Sequence, residues 1–147
     1  MKCELIGNIN EKRELVLGGV FISNTVGLEN RADGDIISIS IANAIIKTFR
    51  EEDDVDTMFP IKNIAFNQMS SEIMLIQLLK KMQEKKFICS NINIKLFSYI
   101  DIKNYIYDIR ENISALLMID IENIYLDVEV HSEKFMKVIT EVSVSSI

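Results

Sequence analysis

The sequence predicts an α+β domain: a β-sheet with three helices packed on one face, in the order ββ-α-α-β-α-ββ. Three observations predict it. Short runs at both ends of the chain read as strands, the later ones alternating apolar and polar residues. Longer stretches in the middle repeat their apolar residues at helical spacing. No linker, internal repeat or low-complexity tract divides the chain, so residues 1–147 read as a single domain.

Taken in order, Cys3–Ile9 is short and largely apolar, as a strand would be. Leu15–Ile22 is a second β-rich run, and its Gly18-Gly19 pair marks a bend, a bulge or a close backbone approach. Ser23–Ala32 reads as a polar loop. Asp33-Gly34-Asp35 then opens a helix whose small and apolar residues run nearly all round, from Ile36 to Ile46; either Asp33 or Asp35 serves as its N-cap, and it fades at Arg50. Glu51–Gln68, with five acids and the only proline, reads as a long loop of the kind that often carries function. Ser70 or Ser71 caps the next helix, Glu72 supports its first turn, and Ile73, Leu75, Ile76, Leu78, Leu79 and Met82 form its apolar face. Ile88–Tyr99 alternates as a strand with one wet face. Ile102–Leu117 places Tyr105, Ile106, Ile109, Ile113 and Leu116 at helical spacing, and Ile124–Val130 and Val138–Val144 alternate as two last strands. The strands at each end are expected to pair as hairpins.

Bulk properties exclude several classes. A chain of 147 residues can bury about two-thirds of its unfolded surface and needs no staples. Its 48% hydrophobic content sits at the upper edge of the globular range, as expected where some apolar surface meets another subunit. A net charge of −6 argues against nucleic acid and anionic membranes as partners, since both reward clustered Lys and Arg. The densest basic run, Lys80, Lys81, Lys85 and Lys86, falls at a helix end, where cations are favoured. Cys3 and Cys89 stand apart, form no Cys-x-x-Cys pair, and read as small core residues. No segment reads as a signal peptide or a membrane span, so the cytoplasm is the expected location.

Several segments together carry a resemblance. They are Leu17-Gly18-Gly19-Val20-x-Ile22, Gly27-Leu28, Asp33-Gly34-Asp35 before Ala42-Asn43-Ala44, Asp54-Val55-x-x-x-Phe59-Pro60, and Ser71 at a helix start. Then come Glu84-Lys85-x-Phe87, Asn91-x-Asn93-Ile94, Tyr105-Ile106-x-x-Ile109-Arg110-x-Asn112-Ile113, Ile119-Asp120-x-x-Asn123-Ile124 and Ser132-Glu133-Lys134. In this order and spacing, from about Leu15 to Phe135, the chain resembles the 2-C-methyl-D-erythritol 2,4-cyclodiphosphate synthases. The resemblance implies a cyclodiphosphate-synthase-like subunit of a homotrimer whose sheets pack around a threefold axis, with active sites between neighbours. That family cyclises a cytidylyl-linked methylerythritol phosphate and releases CMP in the non-mevalonate isoprenoid pathway. The resemblance implies one zinc ion, often with magnesium or manganese on the phosphates.

The chemistry asks one phosphate to attack another, so cations must screen the repulsion and stabilise the leaving group. Zinc takes three protein ligands and keeps one position open. The resemblance implies that these come from an Asp-x-His motif and a helical His, and here those positions hold Asn8, Asn10 and Ile39, with Ser38 and Ser40 beside the last. The only histidine is His131. Other departures agree: Ile61-Lys62-Asn63 follows Phe59-Pro60 where acids are usual, Ser98–Lys103 replaces the Ala-x-x-Pro-Lys loop that lines the cytidine pocket, and Phe135-Met136-Lys137 runs on without the Gly- and Arg-rich loop.

What carries over is thin. Asp54 matches an acid near the methylerythritol hydroxyls, and Glu133 matches the acid on the phosphate-side cation; these are the catalytic candidates. Ser132, Lys134 and Asp33 are the substrate-binding candidates. Asp54 also reads as a solvated loop acid, Glu133 and Lys134 as turn charges, and Asp33 as a helix cap. No zinc site and no resident cofactor are expected, with a divalent cation at Glu133 the one opening. The expectation is a family member without the zinc-dependent, CMP-releasing activity, acting as a binding or structural trimer. Its partners would be copies of itself, an active family subunit in a mixed trimer, or a nucleotide or isoprenoid diphosphate. The alternative is an active cyclase with a rebuilt metal site.

Overall fold

The computed structural model describes residues 1–146. A mixed five-stranded sheet runs β4-β1-β7-β5-β6, with β1 at Lys2–Asn10, β4 at Gly27–Leu28, β5 at Phe87–Ser98, β6 at Ile124–Val130 and β7 at Phe135–Ser146. A separate ribbon pairs β2 (Leu15–Leu17) with β3 (Val20–Ser23). The long helices are α1 (Ile36–Phe49), α4 (Ser71–Glu84) and α5 (Ile106–Leu117); the one-turn helices α2 (Val55–Met58) and α3 (Ile64–Asn67) lie between α1 and α4.

The expected end hairpins do not form. β7 inserts between β1 and β5, antiparallel to both, with Leu5 opposite Val138 and Leu96 opposite Val138 on the other side. β6 lies parallel to β5, reached through α5 as a crossover connection. The turn after β6 therefore steps across the end of β5, where the His131 N–H donates to the Ser98 carbonyl at 2.9 Å. Side-chain alternation matches this register. Gly7, Cys3, Met136, Val138, Thr140, Val142, Leu96, Ile94 and Ile92 face the helices and are buried.

The long loop also differs from expectation. Its acids cap a turn: the Asp54 carboxylate accepts from the Thr57 N–H at 3.0 Å and the Thr57 hydroxyl returns the favour to the Asp54 N–H at 2.9 Å, a reciprocal capping box. Of the two serines, Ser70 is the cap of α4, accepting from the Ile73 N–H at 3.3 Å. The apolar face of α4 is rotated from the one expected. Met74, Leu75, Leu78 and Met82 are buried, while Ile73 and Ile76 are about half exposed, at 46% and 49%. Every residue of α1 from Ile36 to Ile46 is buried, as its all-round apolar pattern requires.

Asp35, fully buried, is the N-cap of α1 and more. One carboxylate oxygen accepts from the Gly18 N–H (2.8 Å) and the Ser38 N–H (3.0 Å); the other accepts from the Gly19 N–H (2.8 Å) and the Ser38 hydroxyl (2.8 Å). Gly18 and Gly19 form the two-residue turn between β2 and β3, with φ of +57° and +78°. Two successive positive φ values are what a two-residue hairpin turn of this hand needs. A Cβ on Gly19 would lie 2.0 Å from the Glu72 carboxylate and 2.1 Å from the Asn112 amide. The Asn112 amide donates to the Gly18 carbonyl at 2.7 Å and to Glu72 at 2.9 Å, so α1, α4 and α5 all grip the turn.

Burial pushes the Asp35 carboxyl from 3.8 up to about 6, with the bonds donated by Ser38 and Gly19 opposing the rise. The folded state thus keeps a proton that the unfolded chain has lost, so this contribution to stability is full below pH 4 and lost as pH rises through 6. At 1.36 kcal/mol per unit it amounts to about 3 kcal/mol. Urea unfolding of the wild type relative to Asp35→Asn, repeated from pH 4 to pH 7, will show that fall in the difference. At pH 7 the substitution will itself cost about 3 kcal/mol, because Asn keeps one acceptor oxygen and turns an NH2 donor where the second carboxylate oxygen accepts from the Gly19 N–H and the Ser38 hydroxyl.

Candidate functional site

The end of β1 collects most of the positions at issue. Its last residues lie between β4, where Ile9 faces Leu28 and Asn10 faces Gly27, and the turn before β7, where Asn8 faces Phe135. The Ile9 N–H donates to the Lys134 carbonyl at 3.3 Å and the Glu29 N–H to the Asn8 carbonyl at 3.1 Å. The backbone therefore brings Asn8 and Asn10 beside Ser132, Glu133 and Lys134, all three exposed. The Lys134 ammonium pairs with Glu11 at 3.4 Å on the surface, a contact worth little in stability. The Glu133 N–H donates to His131 Nδ1 at 3.1 Å, and the His131 ring packs on Phe135 with centroids 4.7 Å apart.

Asp33 and Asp54 are engaged elsewhere. The Asp33 carboxylate accepts from the Ser71 hydroxyl at 2.8 Å, the Ser71 N–H at 3.1 Å and the Asp35 N–H at 3.1 Å, tying the start of α4 to the start of α1. Asp54 caps α2, whose Val55 N–H donates to the Asn43 side chain of α1 at 2.7 Å. Ser132, Glu133 and Lys134 thus share one turn, while Asp33 and Asp54 hold secondary structure.

The Ser23–Ala32 loop holds residues the sequence reading passed over. The Arg13 guanidinium donates to the Asn30 carbonyl at 2.8 Å and to the Ala32 carbonyl. The Arg31 side chain, 8% exposed, bridges Asp56 at 3.1 Å and reaches the Phe66 carbonyl at 3.4 Å. Asn30 donates to the Ile6 carbonyl at 3.3 Å, and a Cβ on Gly7 would fall 2.5 Å from its amide oxygen, so Gly7 lets this loop approach the sheet. The sequence signal was an arginine directly before Ala32-Asp33-Gly34-Asp35, too slight to separate from a solvated loop.

The donor set does not fit a zinc ion. Asn8 and Asn10 carry neutral amides, the Asn10 oxygen accepts from the Lys12 N–H at 2.9 Å, and Ile39 is aliphatic and 5% exposed. Among the described residues no three His, Cys, Asp or Glu side chains gather where they could hold a metal ion. Glu133 brings a single carboxylate to the turn. Neither thiol is poised as a nucleophile: both cysteines are buried, and burial raises Cys3 above its usual range and Cys89 to about 11.

A concavity of about 640 Å³ is lined by Lys2, Lys95, Tyr125, Asp127, Ile139 and Glu141 of the sheet face away from the helices, and also by Ile106 and Arg110 of α5. It includes none of the catalytic or substrate-binding candidates, although Asn93, Ile94, Ile106, Arg110 and Ile124 of the segments that carry the resemblance line it. The face itself mixes exposed Ile6 and Tyr125 with half-buried Phe97 and Ile139, and with the ion pairs Lys137–Glu4 at 2.9 Å and Lys95–Asp127 at 2.5 Å.

Comparison with known proteins matches residues 6–146 to the model of the YgbB family. A 2-C-methyl-D-erythritol 2,4-cyclodiphosphate synthase of Brachyspira hyodysenteriae is 30% identical over 115 residues, which span 78% of this chain and 72% of that protein. Among solved structures, the CDP complex of the Plasmodium falciparum enzyme superposes with a TM-score of 0.81 at 28% identity, covering 99% of this chain and 94% of that one. A CDP-bound 2C-methyl-D-erythritol-2,4-cyclodiphosphate synthase superposes with a TM-score of 0.90 at 17% identity over 98% of each chain, a likeness of fold.

The contrast between a capping and a free acid is measurable. Asp54→Ala will cost about 1 kcal/mol in urea unfolding, the usual loss of an N-cap. Glu133→Ala will stay within about 0.5 kcal/mol of wild type, as exposed turn residues do.

Proposed function

Because the chain belongs to the YgbB family, we propose that it is a cyclodiphosphate-synthase-like protein of isoprenoid metabolism that has kept the scaffold and given up the zinc-dependent, CMP-releasing step. One observation carries this reading: the zinc positions implied by the family hold Asn8, Asn10 and a buried Ile39. A neutral amide neither balances the metal's charge nor binds it as an imidazole does, and an isoleucine offers no lone pair. With no strong cation held there, the charge that builds between two phosphates in the transition state is poorly neutralised. Ser132 and Lys134 remain able to donate to a phosphate oxygen, which favours a binding role over a chemical one, although the replaced loop at Ser98–Lys103 weakens any cytidine pocket.

The working unit we infer is a homotrimer in the cytoplasm. The open sheet face supports it, since Ile6, Phe97, Ile139 and Tyr125 would gain from burial at roughly 25 cal/mol per Å² of apolar surface. The ion pairs crossing that face keep its polar atoms satisfied within a packed assembly. Two buried free thiols suit a reducing compartment, and no helix among the described residues is long and apolar enough to cross a membrane.

Assay of purified protein with the cytidylyl-linked methylerythritol phosphate, zinc and magnesium will show CMP release no faster than a protein-free blank; sustained turnover would establish the alternative, an active cyclase with a rebuilt site. Light scattering will return three times the 16.9 kDa chain mass, and Ile6→Lys combined with Ile139→Glu will return the single-chain mass. A wild-type monomer would remove the trimer from the account.

A further inference from the structure

At the far end of α1 from the β1 terminus, a second cavity of about 260 Å³ opens between α1, α4 and the segment leading into α2. Its floor is apolar: Ile46, Phe49, Met58 and Leu78. Its mouth is cationic. Lys81 and Lys85, one helical turn apart on α4, stand with Arg50 around it, and Asp53 is the only acid in the lining. Asp53 is already neutralised by Arg50 at 3.0 Å. Lys81 and Lys85 have no carboxylate partner among the described residues. Arg50 is also bridged by Glu52 at 3.4 Å, so the cations left without a carboxylate at the mouth are Lys81 and Lys85, on a chain whose net charge is −6.

We propose that this cavity binds a small amphipathic anion: a compact apolar body seated on Phe49, Met58 and Leu78, with a carboxylate or phosphate head held between Lys81 and Lys85. A helix C-terminus by itself would account for cations anywhere around the last turn of α4. It does not account for their aim. The Lys85 ammonium lies 5.4 Å from the centre of the Phe49 ring, folded over the cavity wall. Nor does it account for an apolar hollow beneath them, since lysine stems usually lie along apolar surface and cover it. The volume is just under the ~300–1,000 Å³ of ordinary small-molecule sites, which limits the body to one ring or a short aliphatic chain. A short chain needs the charge to bind measurably, because apolar burial of that size gives only modest affinity once the entropy of association is subtracted. This site does not depend on the open sheet face, the turn at Ser132–Lys134 or the fate of the zinc site.

The test is isothermal titration of the full chain with octanoate and with octyl phosphate, each below its micelle concentration, against octylammonium as the cationic control. At least one anion will bind at one site per chain, at least tenfold more tightly than octylammonium. Octyl phosphate binding the tighter of the two would identify a phosphate head, and octanoate a carboxylate head. Lys81→Glu combined with Lys85→Glu will weaken binding tenfold or more, and Met58→Trp, which fills the floor, will do the same. All three sites of change are exposed or half-exposed, and circular dichroism will confirm that the variants fold. No preference for either anion over octylammonium, or folded variants that bind as wild type does, would overturn the proposal.

Discussion

The Asp35 carboxylate is the constraint around which the rest of the molecule is arranged. A buried anion is tolerated only where donors surround it. Here the donors are the two N–H groups of the Gly18-Gly19 turn and the two groups of Ser38, so a single residue caps α1 and anchors the β2–β3 ribbon. Asn112 and Glu72 close the other side of the same turn, joining α4 and α5 to it. Only glycine suits the turn, both for its positive φ values and because a side chain at Gly19 would occupy the space of Glu72 and Asn112. The start of α1 is fixed in this way, and Ile39, in its first turns, is buried in the core.

The sheet imposes a second constraint. Its middle strand, β7, is the last in sequence, and β1 cannot pair correctly until β7 is present between it and β5. The Met1 ammonium donates to the Val142 carbonyl at 2.7 Å, closing the two ends of the chain together. Such non-local pairing makes the assembly of the site end of β1 dependent on nearly the whole chain. It also leaves one sheet face without helices, which is where the trimer contact belongs in our reading.

Much of the architecture was legible, for identifiable reasons. The long helices follow from periodicity, and the all-round burial of α1 follows from Ile36–Ile46 being small or apolar at every position. The Asp-Gly-Asp run was recognised as a cap, but not which acid caps. Gly34, at φ +70°, turns the chain so that Asp33 faces Ser71 of α4 and Asp35 faces the glycine turn, a division visible only in three dimensions. The hairpin expectation failed because adjacency in sequence says nothing of a distant strand that competes for the same edge. On α4, Ile73 and Ile76 looked like core by hydropathy alone, whereas the helix is rotated to bury Met74 and Leu78. The correspondence of Asn8, Asn10 and Ile39 with zinc ligands rests on the family resemblance alone. Arg13, Asn30 and Arg31 were hidden because a loop that is polar in sequence and packed in space has no periodic signature.

In our reading the scaffold is inherited and the donors are substituted: Asn8 and Asn10 on β1 and Ile39 on α1 stand where the family resemblance puts the metal ligands. Zinc affinity under competition with a chelator, measured on the wild type and on Asn8→Asp, Asn10→His, Ile39→His combined, tests this most directly. The account predicts no specific zinc binding by the wild type and one zinc per chain in the triple variant. Tight stoichiometric zinc in the wild type, or a folded triple variant that still binds none, would contradict it.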